Sequence, residues 1–177
     1  FFDQLRNISM NACVPLTAGG GIRTLANIEK LLKNGADKVL LNTICFEDVK
    51  FIKRATKEFG SQCIVVSIDA KLEGGFYYVM KKCGQERSLY KLNDYIKIIQ
   101  DNQAGEIFLQ SVDRDGSLLG YDLKLLDCIE NIQLPLIVSS GAGNWDHVKK
   151  VLEKDFVSAA SLTNIFHFTE KSIRNLK

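Results

Sequence analysis

Short apolar runs alternate with longer amphipathic segments along the chain. Runs this short, rich in β-branched residues, are typical of strands. They predict six strands, at Val14–Thr17, Lys38–Leu41, Cys63–Ile68, Glu106–Gln110, Leu136–Val138 and Val157–Leu162. Apolar residues at helical spacing predict helices at Leu25–Lys33, Asp48–Phe59, Lys91–Asp101, Leu123–Ile129 and Trp145–Lys154. A helix that ends near Ala12 precedes the first strand, and the tail from Thr169 is also expected to be helical.

Strands that are apolar on both faces and alternate with helices indicate a parallel sheet covered by helices, which is an α/β architecture. One segment breaks the alternation: the runs Phe76–Met80 and Cys83–Leu89 predict a β-hairpin excursion at about residues 72–90. Long excursions of this kind are usually functional lids or binding loops. On the alternation alone, a doubly wound sheet and a closed barrel both remain open.

An internal repeat favours the barrel. Pro15-Leu16-x-x-Gly-Gly-Gly21 recurs as Pro135-Leu136-x-x-Ser-Ser-Gly141, and a helix, a strand and a polar pair follow each copy. A duplicated half-barrel predicts this pattern, so we expect a single (βα)₈ TIM-barrel domain over residues 1–177. With four strands in each half, two strands should precede Phe1. We therefore interpret the chain as a fragment that lacks the first two strands of the barrel.

Composition narrows the function. The chain has 177 residues, 46% hydrophobic and 25% charged, with a net charge of +2, and its cations are dispersed, so neither nucleic acid nor a membrane surface is expected as a partner. The five cysteines form no CxxC pair, and neither histidine lies at ligand spacing from them, so we expect no metal and no cofactor. We interpret the cysteines as buried side chains in a reducing compartment, which predicts a cytoplasmic protein.

Polar residues cluster at the carboxyl ends of the predicted strands, where TIM barrels carry their active sites. A Gly-rich turn before a helix can bind a phosphate through backbone N–H groups, although a lone Gly triplet is more simply a tight turn. Two related copies favour two phosphate sites, one at each end of a bisphosphorylated ligand. The predicted sites are Gly21, Asn42 and Thr43 for the first, and Ser139, Ser140, Gly141, Thr163 and Asn164 for the second.

Asp69 closes an apolar strand, where a carboxylate sheltered by the hairpin can act as a general acid or base. A helix cap or an ion pair to Lys71 is the structural alternative, and we place catalysis ahead of it. Asp113 and Asp115 flank Arg114 and lie on one side of an extended strand end, so their spacing does not separate their roles. Asp115, beside Gly116, is our choice for the ligand-facing acid.

Other polar residues receive structural interpretations. Lys38 and Glu106 begin their strands, so the default expectation is a stabilising ion pair at the amino-terminal face of the barrel. We interpret His147 as a helix-surface residue, His167 as packed between two phenylalanines, and Trp145 as a packing anchor at the start of a helix.

An ordered series of motifs resembles one known family. The series is Leu16-Thr17-Ala18-Gly19-Gly20-Gly21-Ile22-Arg23, Gly35-Ala36-Asp37-Lys38-Val39, Phe59-Gly60-Ser61-Gln62, Ile68-Asp69-Ala70-Lys71, Ala104-Gly105-Glu106-Ile107, Asp113-Arg114-Asp115-Gly116, Gly120-Tyr121-Asp122, Ser140-Gly141-Ala142-Gly143 and Phe166-His167-Phe168. Together these motifs resemble the HisF cyclase subunit of imidazole glycerol phosphate synthase over essentially the whole chain.

The resemblance implies a cyclase/lyase that converts PRFAR, a bisphosphorylated ribotide, and ammonia into imidazole glycerol phosphate and AICAR in histidine biosynthesis. It implies that Asp69 is the catalytic acid of the fifth barrel strand, and that the second catalytic acid would lie before Phe1. Asp115 matches a further active-site acid. Lys38 and Glu106 match a charged gate, through which ammonia enters from a glutaminase partner of the HisH type at the amino-terminal face. We expect the 177-residue chain alone to be inactive.

Some positions depart from the family pattern, with Gln110 where Thr is usual, Ser140 where Gly is usual and Asn164 where Ser is usual. These departures also fit a HisF-like paralogue that supplies ammonia for sugar amidation in surface-polysaccharide biosynthesis. A second alternative is HisA, the sugar-phosphate isomerase that shares the two-phosphate barrel, although the Phe59–Gln62 and Asp113–Asp122 motifs look like the cyclase instead.

Overall fold

The computed structural model of the chain describes residues 1–82, 84–163 and 165. Its helices are α1 Phe2–Asn11, α2 Leu25–Lys33, α3 Ile44–Glu47, α4 Lys50–Phe59, α5 Leu92–Asp101, α6 Leu123–Asp127 and α7 Trp145–Leu152. Its strands are β1 Thr17–Gly19, β2 Lys38–Leu41, β3 Ile64–Glu73, β4 Phe76–Lys81, β5 Glu86–Lys91, β6 Glu106–Ser111, β7 Leu136–Ser139 and β8 Ala159–Ala160. Cys83, Asn164, the Phe166-His167-Phe168 motif and the tail predicted to be helical from Thr169 lie outside the described residues.

The chain divides into two compact units, the first of which comprises Phe1–Ser67 and Ile98–Ile107. Within it β1 pairs with β2 and β2 pairs with β3, and both ladders are parallel. Val39, Leu41, Ile52 and Ile64 are fully buried, so the apolar positions of the strands and of α4 form its core. Thr24 is the N-cap of α2, and its hydroxyl accepts the Asn27 N–H in a capping box.

The second unit comprises Ile68–Lys97 and Phe108–Lys177. Strand β3 continues into this unit, and from there the order of strands runs through β6 and β7 to β8. The β7–β8 ladder is parallel, with Ile137 opposite Ala159. The prediction that residues 1–177 form a single domain stays a prediction.

The predicted hairpin is present, and it corrects the end of the third strand. Residues 69–73 of β3 pair antiparallel with β4, from Asp69 opposite Met80 to Glu73 opposite Phe76, and β4 pairs in turn with β5. The prediction that this strand closes at Asp69 was therefore wrong. Because β4 supplies a new ladder partner, the strand runs on to Glu73, and Asp69 lies inside it.

Other element bounds also differ from the prediction. The first strand is Thr17–Gly19 and not Val14–Thr17, because Val14 is exposed and Pro15 has no N–H to give to a ladder. The predicted helix Asp48–Phe59 corresponds to α4, which begins at Lys50 because Asp48 is extended, and the short helix α3 before it was not predicted. The last strand is reduced to Ala159–Ala160, which are opposite the two central residues of β7.

The cysteines only partly follow expectation. Cys45 is buried, and burial raises the pKa of its thiol to about 12, but Cys13 and Cys128 are exposed, so the expectation of burial was wrong for these two. In the part of the chain that the structure describes, no helix is long and apolar enough to cross a membrane.

Candidate active site

A cavity of about 170 Å³ lies beside Asp69 in the second unit. Its wall is formed by Asp69, Gln110, Ser111, Val112, Asp115 and Ser140. The Asp69 residue is only 7% exposed, and its Oδ1 accepts a hydrogen bond of 2.9 Å from Gln110 Nε2. A carboxylate that is buried at a cavity wall and held by an amide donor has a defined orientation toward a ligand. It is not the helix cap that we considered, because it lies within β3.

The acids after β6 have different surroundings, and the predicted extended strand end was wrong. Val112–Arg114 is a 3₁₀ turn, which turns the two side chains in different directions. Asp113 Oδ2 accepts the Leu72 N–H at 3.0 Å and so ties this loop to β3. Asp115 is exposed and lines the Asp69 cavity. The geometry thus separates Asp113, which holds the loop to β3, from Asp115, which lines the cavity.

A second cavity, of about 70 Å³, adjoins the first and shares Asp115 and Ser140 with it. It is lined by Asp115, Gly116, Ser139, Ser140, Gly141, Ala142, Ser161, Leu162 and Thr163. The structure thereby brings together the second predicted phosphate site, apart from Asn164, which lies outside the described residues. The chemistry of the wall suits an anion, because hydroxyls and backbone N–H groups are hydrogen-bond donors.

The backbone of this turn is unusual. Ser140 has φ +81°, a left-handed conformation that is costly for a residue with a Cβ, and Gly141 follows at φ +93°. A side chain at Gly141 would meet the carbonyl of Gly120, whose own N–H donates to the Gly141 carbonyl at 2.7 Å. Successive residues with φ > 0 can turn their N–H groups toward one point, as anion-binding turns do.

Two residues that sequence reasoning underrated hold neighbouring segments, one just after the turn and the other at Ser161, which lines the same cavity. His147 is half-buried, and its Nδ1 accepts the Gly143 N–H at 3.1 Å, so its assignment as a plain surface residue was wrong. Tyr121 donates its hydroxyl to the Ser161 carbonyl at 2.9 Å, and burial raises the pKa of its phenol to about 12. The Gly-Tyr-Asp motif was the only sequence signal for the second of these contacts.

Asp122 joins three segments of the second unit. It is buried, and its carboxylate accepts the Tyr77 hydroxyl at 3.1 Å, the Ser111 hydroxyl at 3.0 Å and the Leu125 N–H at 3.1 Å. Burial and the adjacent carboxylate raise the pKa of Tyr77. The carboxylate therefore ties β4, the end of β6 and the start of α6 together, and of its partners Ser111 lines the cavity. Sequence reasoning missed this cluster.

The first predicted phosphate site lies in the first unit. Gly20 and Gly21 follow β1 with φ of +103° and +67°, while Asn42 and Thr43 follow β2. Because Gly19 is opposite Leu40 in the parallel ladder, the two polar turns are neighbours at the carboxyl ends of their strands. In the second site, among the described residues, Thr163 likewise lines a cavity together with a Gly-containing turn.

Lys38 and Glu106, the first residues of β2 and β6, form an ion pair in the first unit. The Lys38 Nζ lies 2.8 Å from Glu106 Oε2, and the two side chains are 34% and 14% exposed. The structural expectation of an ion pair at the amino-terminal ends of these strands is met. Among the described residues, no group of three or more His, Cys, Asp or Glu side chains could hold a metal ion.

Comparison with known proteins places this fold and site in a class. Residues 2–172 match the model of a family described as histidine biosynthesis protein. The chain therefore belongs to the histidine biosynthesis family, whose fold is a (βα)₈ barrel. This membership, together with the strand order, confirms the predicted α/β class with six strands of a TIM barrel.

The relatives define the branch of the family. A protein from Exiguobacterium sp. is 42% identical over 99% of this chain and 68% of its own length. Proteins from Metallosphaera sedula and Dictyoglomus thermophilum are 40% and 42% identical, over 70% and 71% of their own lengths. All three are named imidazole glycerol phosphate synthase subunit HisF. Within the histidine biosynthesis family, the chain thus belongs to the HisF group.

Proposed function

We propose that the protein is the cyclase subunit of imidazole glycerol phosphate synthase, and that it converts PRFAR and ammonia into imidazole glycerol phosphate and AICAR. The observation that carries the proposal is the pair of adjoining cavities, which share Asp115 and Ser140. One holds a buried carboxylate, and the other is lined by hydroxyls and a turn with positive φ. A substrate with a phosphate near its reacting atoms needs both features, hydrogen-bond donors for the phosphate and an acid or base for the reacting atoms.

We propose distinct roles for the residues. Asp69 exchanges a proton with the substrate during ring closure, as a general acid or base at the cavity wall. Asp115 and Gly116 contact the substrate between the two cavities. Ser139, Ser140, Gly141 and Thr163 bind one phosphate group. Gly21, Asn42 and Thr43, in the first unit, bind a phosphate group through the backbone N–H groups of the Gly turn and the polar side chains.

We further propose that Lys38 and Glu106 form the gate through which ammonia enters. Their ion pair is accessible enough to open, since Lys38 is 34% exposed. The relatives are named as subunits, which supports a partner subunit for this chain as well. We propose a cytoplasmic glutaminase of the HisH type as that partner, docked at the amino-terminal ends of the strands.

The test is a substrate comparison with the complete protein. Purified protein is supplied with PRFAR and an ammonium salt, and separately with the substrate of the HisA isomerase, and the products are separated by chromatography. We expect imidazole glycerol phosphate and AICAR from the first reaction and no isomerised product from the second. Turnover of the isomerase substrate alone would contradict the proposal.

A second candidate has a specific observation in its favour. Gln110 and Ser140, two of the departures from the usual family residues, both line the Asp69 cavity. A cavity with altered walls fits a HisF-like paralogue that supplies ammonia for sugar amidation. Absence of PRFAR turnover, together with delivery of ammonia from the glutaminase partner to a separate amidating enzyme, would favour this candidate over the cyclase.

A further inference from the structure

We propose that Gln110 is a positioning residue that holds the carboxylate of Asp69 in its working orientation. The inference rests on the proposed function, because it gives Gln110 a part in the cyclase reaction. It concerns one contact in the second unit, the 2.9 Å hydrogen bond from Gln110 Nε2 to Asp69 Oδ1. Gln110 acts through Asp69, which is the group that exchanges the proton.

The backbone on both sides of the contact is well fixed. Asp69 lies inside β3, where it is opposite Met80 of the hairpin. Gln110 lies in β6 between Leu109 and Ser111, which are 0% and 1% exposed and hold the strand in place. Because side chains alternate along a strand, Gln110 points to the face opposite the one that carries the buried side chains of Leu109 and Ser111. The Gln110 amide therefore approaches the Asp69 carboxylate from a fixed direction.

The chemistry of the pair gives the contact its effect. An amide N–H can only donate, and a carboxylate oxygen can only accept unless it is protonated. A hydrogen bond to an ionised group is shorter and about twice as strong as one between neutral groups. The bond therefore restrains rotation of the Asp69 carboxyl group, and productive geometry is sensitive to displacements of about 1 Å. Gln110 also lines the same cavity, so it orients Asp69 from the side where a ligand binds.

The first experiment is a kinetic double-mutant cycle in the complete protein with PRFAR and ammonium. Gln110→Met keeps the length of the side chain but removes the donor, and Gln4→Met, at an exposed position of α1, is the matched control. We expect Gln110→Met to lower kcat roughly tenfold, the effect of one charge-assisted hydrogen bond, with KM changed less than about twofold. In the Asp69→Asn background the same change should lower kcat less than about twofold, because residues that act as a unit are not additive.

An unchanged kcat in Gln110→Met, or an equal loss in both backgrounds, would overturn the proposal. The second experiment needs no turnover. In urea unfolding, Gln110→Met should lower the folding equilibrium constant at least about fivefold more in the parent than in the Asp69→Ala background. A coupling factor near one would overturn the inference alone, whereas a parent protein that does not convert PRFAR would contradict the proposed function.

Discussion

Removal of the Tyr77 hydroxyl should destabilise the second unit by a predictable amount. Tyr77 is 7% exposed, and its hydroxyl lies 3.1 Å from each oxygen of Asp122. Tyr77→Phe keeps the ring and its packing, so the change removes only the hydrogen bonds. The residues that it links are 45 positions apart in sequence, and the link anchors the hairpin strand β4 to the start of α6.

The magnitude follows from what remains at Asp122. A hydrogen bond to a charged group contributes about 1.5–3 kcal/mol to stability. In Tyr77→Phe the buried carboxylate still accepts the Ser111 hydroxyl and the Leu125 N–H, so its charge is not left without donors. We therefore expect the free energy of unfolding to fall by about 1.5 kcal/mol, at the lower end of that range.

The assay is urea unfolding followed by circular dichroism, with the slope m compared between variants to confirm that the same surface is exposed. Tyr78→Phe is the matched control on the same strand, because the Tyr78 ring, stacked 4.3 Å from the Arg87 guanidinium, is retained in Phe. We expect the control to stay within about 0.5 kcal/mol of the parent. A loss in Tyr77→Phe no larger than that of the control would refute the reasoning.

The remaining predictions concern pH, backbone strain and the gate. Burial and Asp122 raise the pKa of Tyr77 above its ordinary value of 10.0, so this contribution to stability is fully present below pH 10 and is lost as the pH rises through the raised pKa. The free energy of unfolding of the parent should therefore fall more steeply above pH 10 than that of Tyr77→Phe, and parallel curves in urea titrations at stepped pH would contradict this. Ser140→Gly relieves the strain of a φ of +81°, so it should raise the thermal midpoint and increase the free energy of unfolding by about 1 kcal/mol. The control Ser139→Gly lies in the strand β7 and should lower the thermal midpoint. Equal shifts of the two variants in calorimetry would be evidence against strain at Ser140. Lys38→Met breaks the ion pair with Glu106 and should reduce cyclase activity with glutamine and the glutaminase partner several-fold more than activity with ammonium; equal losses with both nitrogen sources would argue against a gate.

Sequence patterns predicted those parts of the structure that depend on local signals. The bounds of β2 and α2 agree with the structure, because an apolar run specifies the first and the Thr24 capping box with its apolar stripe specifies the second. The strand β3 was cut short, since its last residues are specified by pairing with β4 rather than by their own pattern. The strand propensity of residues 69–73 does not reveal that β4 is available to pair with them.

The site shows the same division. Asp69, Asp115 and the Gly-containing turns could be chosen from the sequence because they follow apolar runs, and the structure groups Asp69 with Asp115 at one cavity. The contacts that hold them were not predictable in the same way. Gln110 reaches Asp69 across 41 positions of sequence, and Tyr77 reaches Asp122 across 45. A single sequence shows that these residues are polar, but it does not show which distant residue each of them contacts.

The most direct test of the central claim is the rate of PRFAR conversion by the complete protein and by its Asp69→Asn variant, with ammonium as the nitrogen source. Asp127→Asn, which alters an exposed surface ion pair with Lys154, is the control for a lost carboxylate. We expect the parent and the control to form imidazole glycerol phosphate and AICAR at similar rates, and Asp69→Asn to lose a factor of about 10² or more in kcat, the contribution of a positioned acid or base. Near-parental turnover in Asp69→Asn would contradict the assignment of Asp69 and the active site built around it.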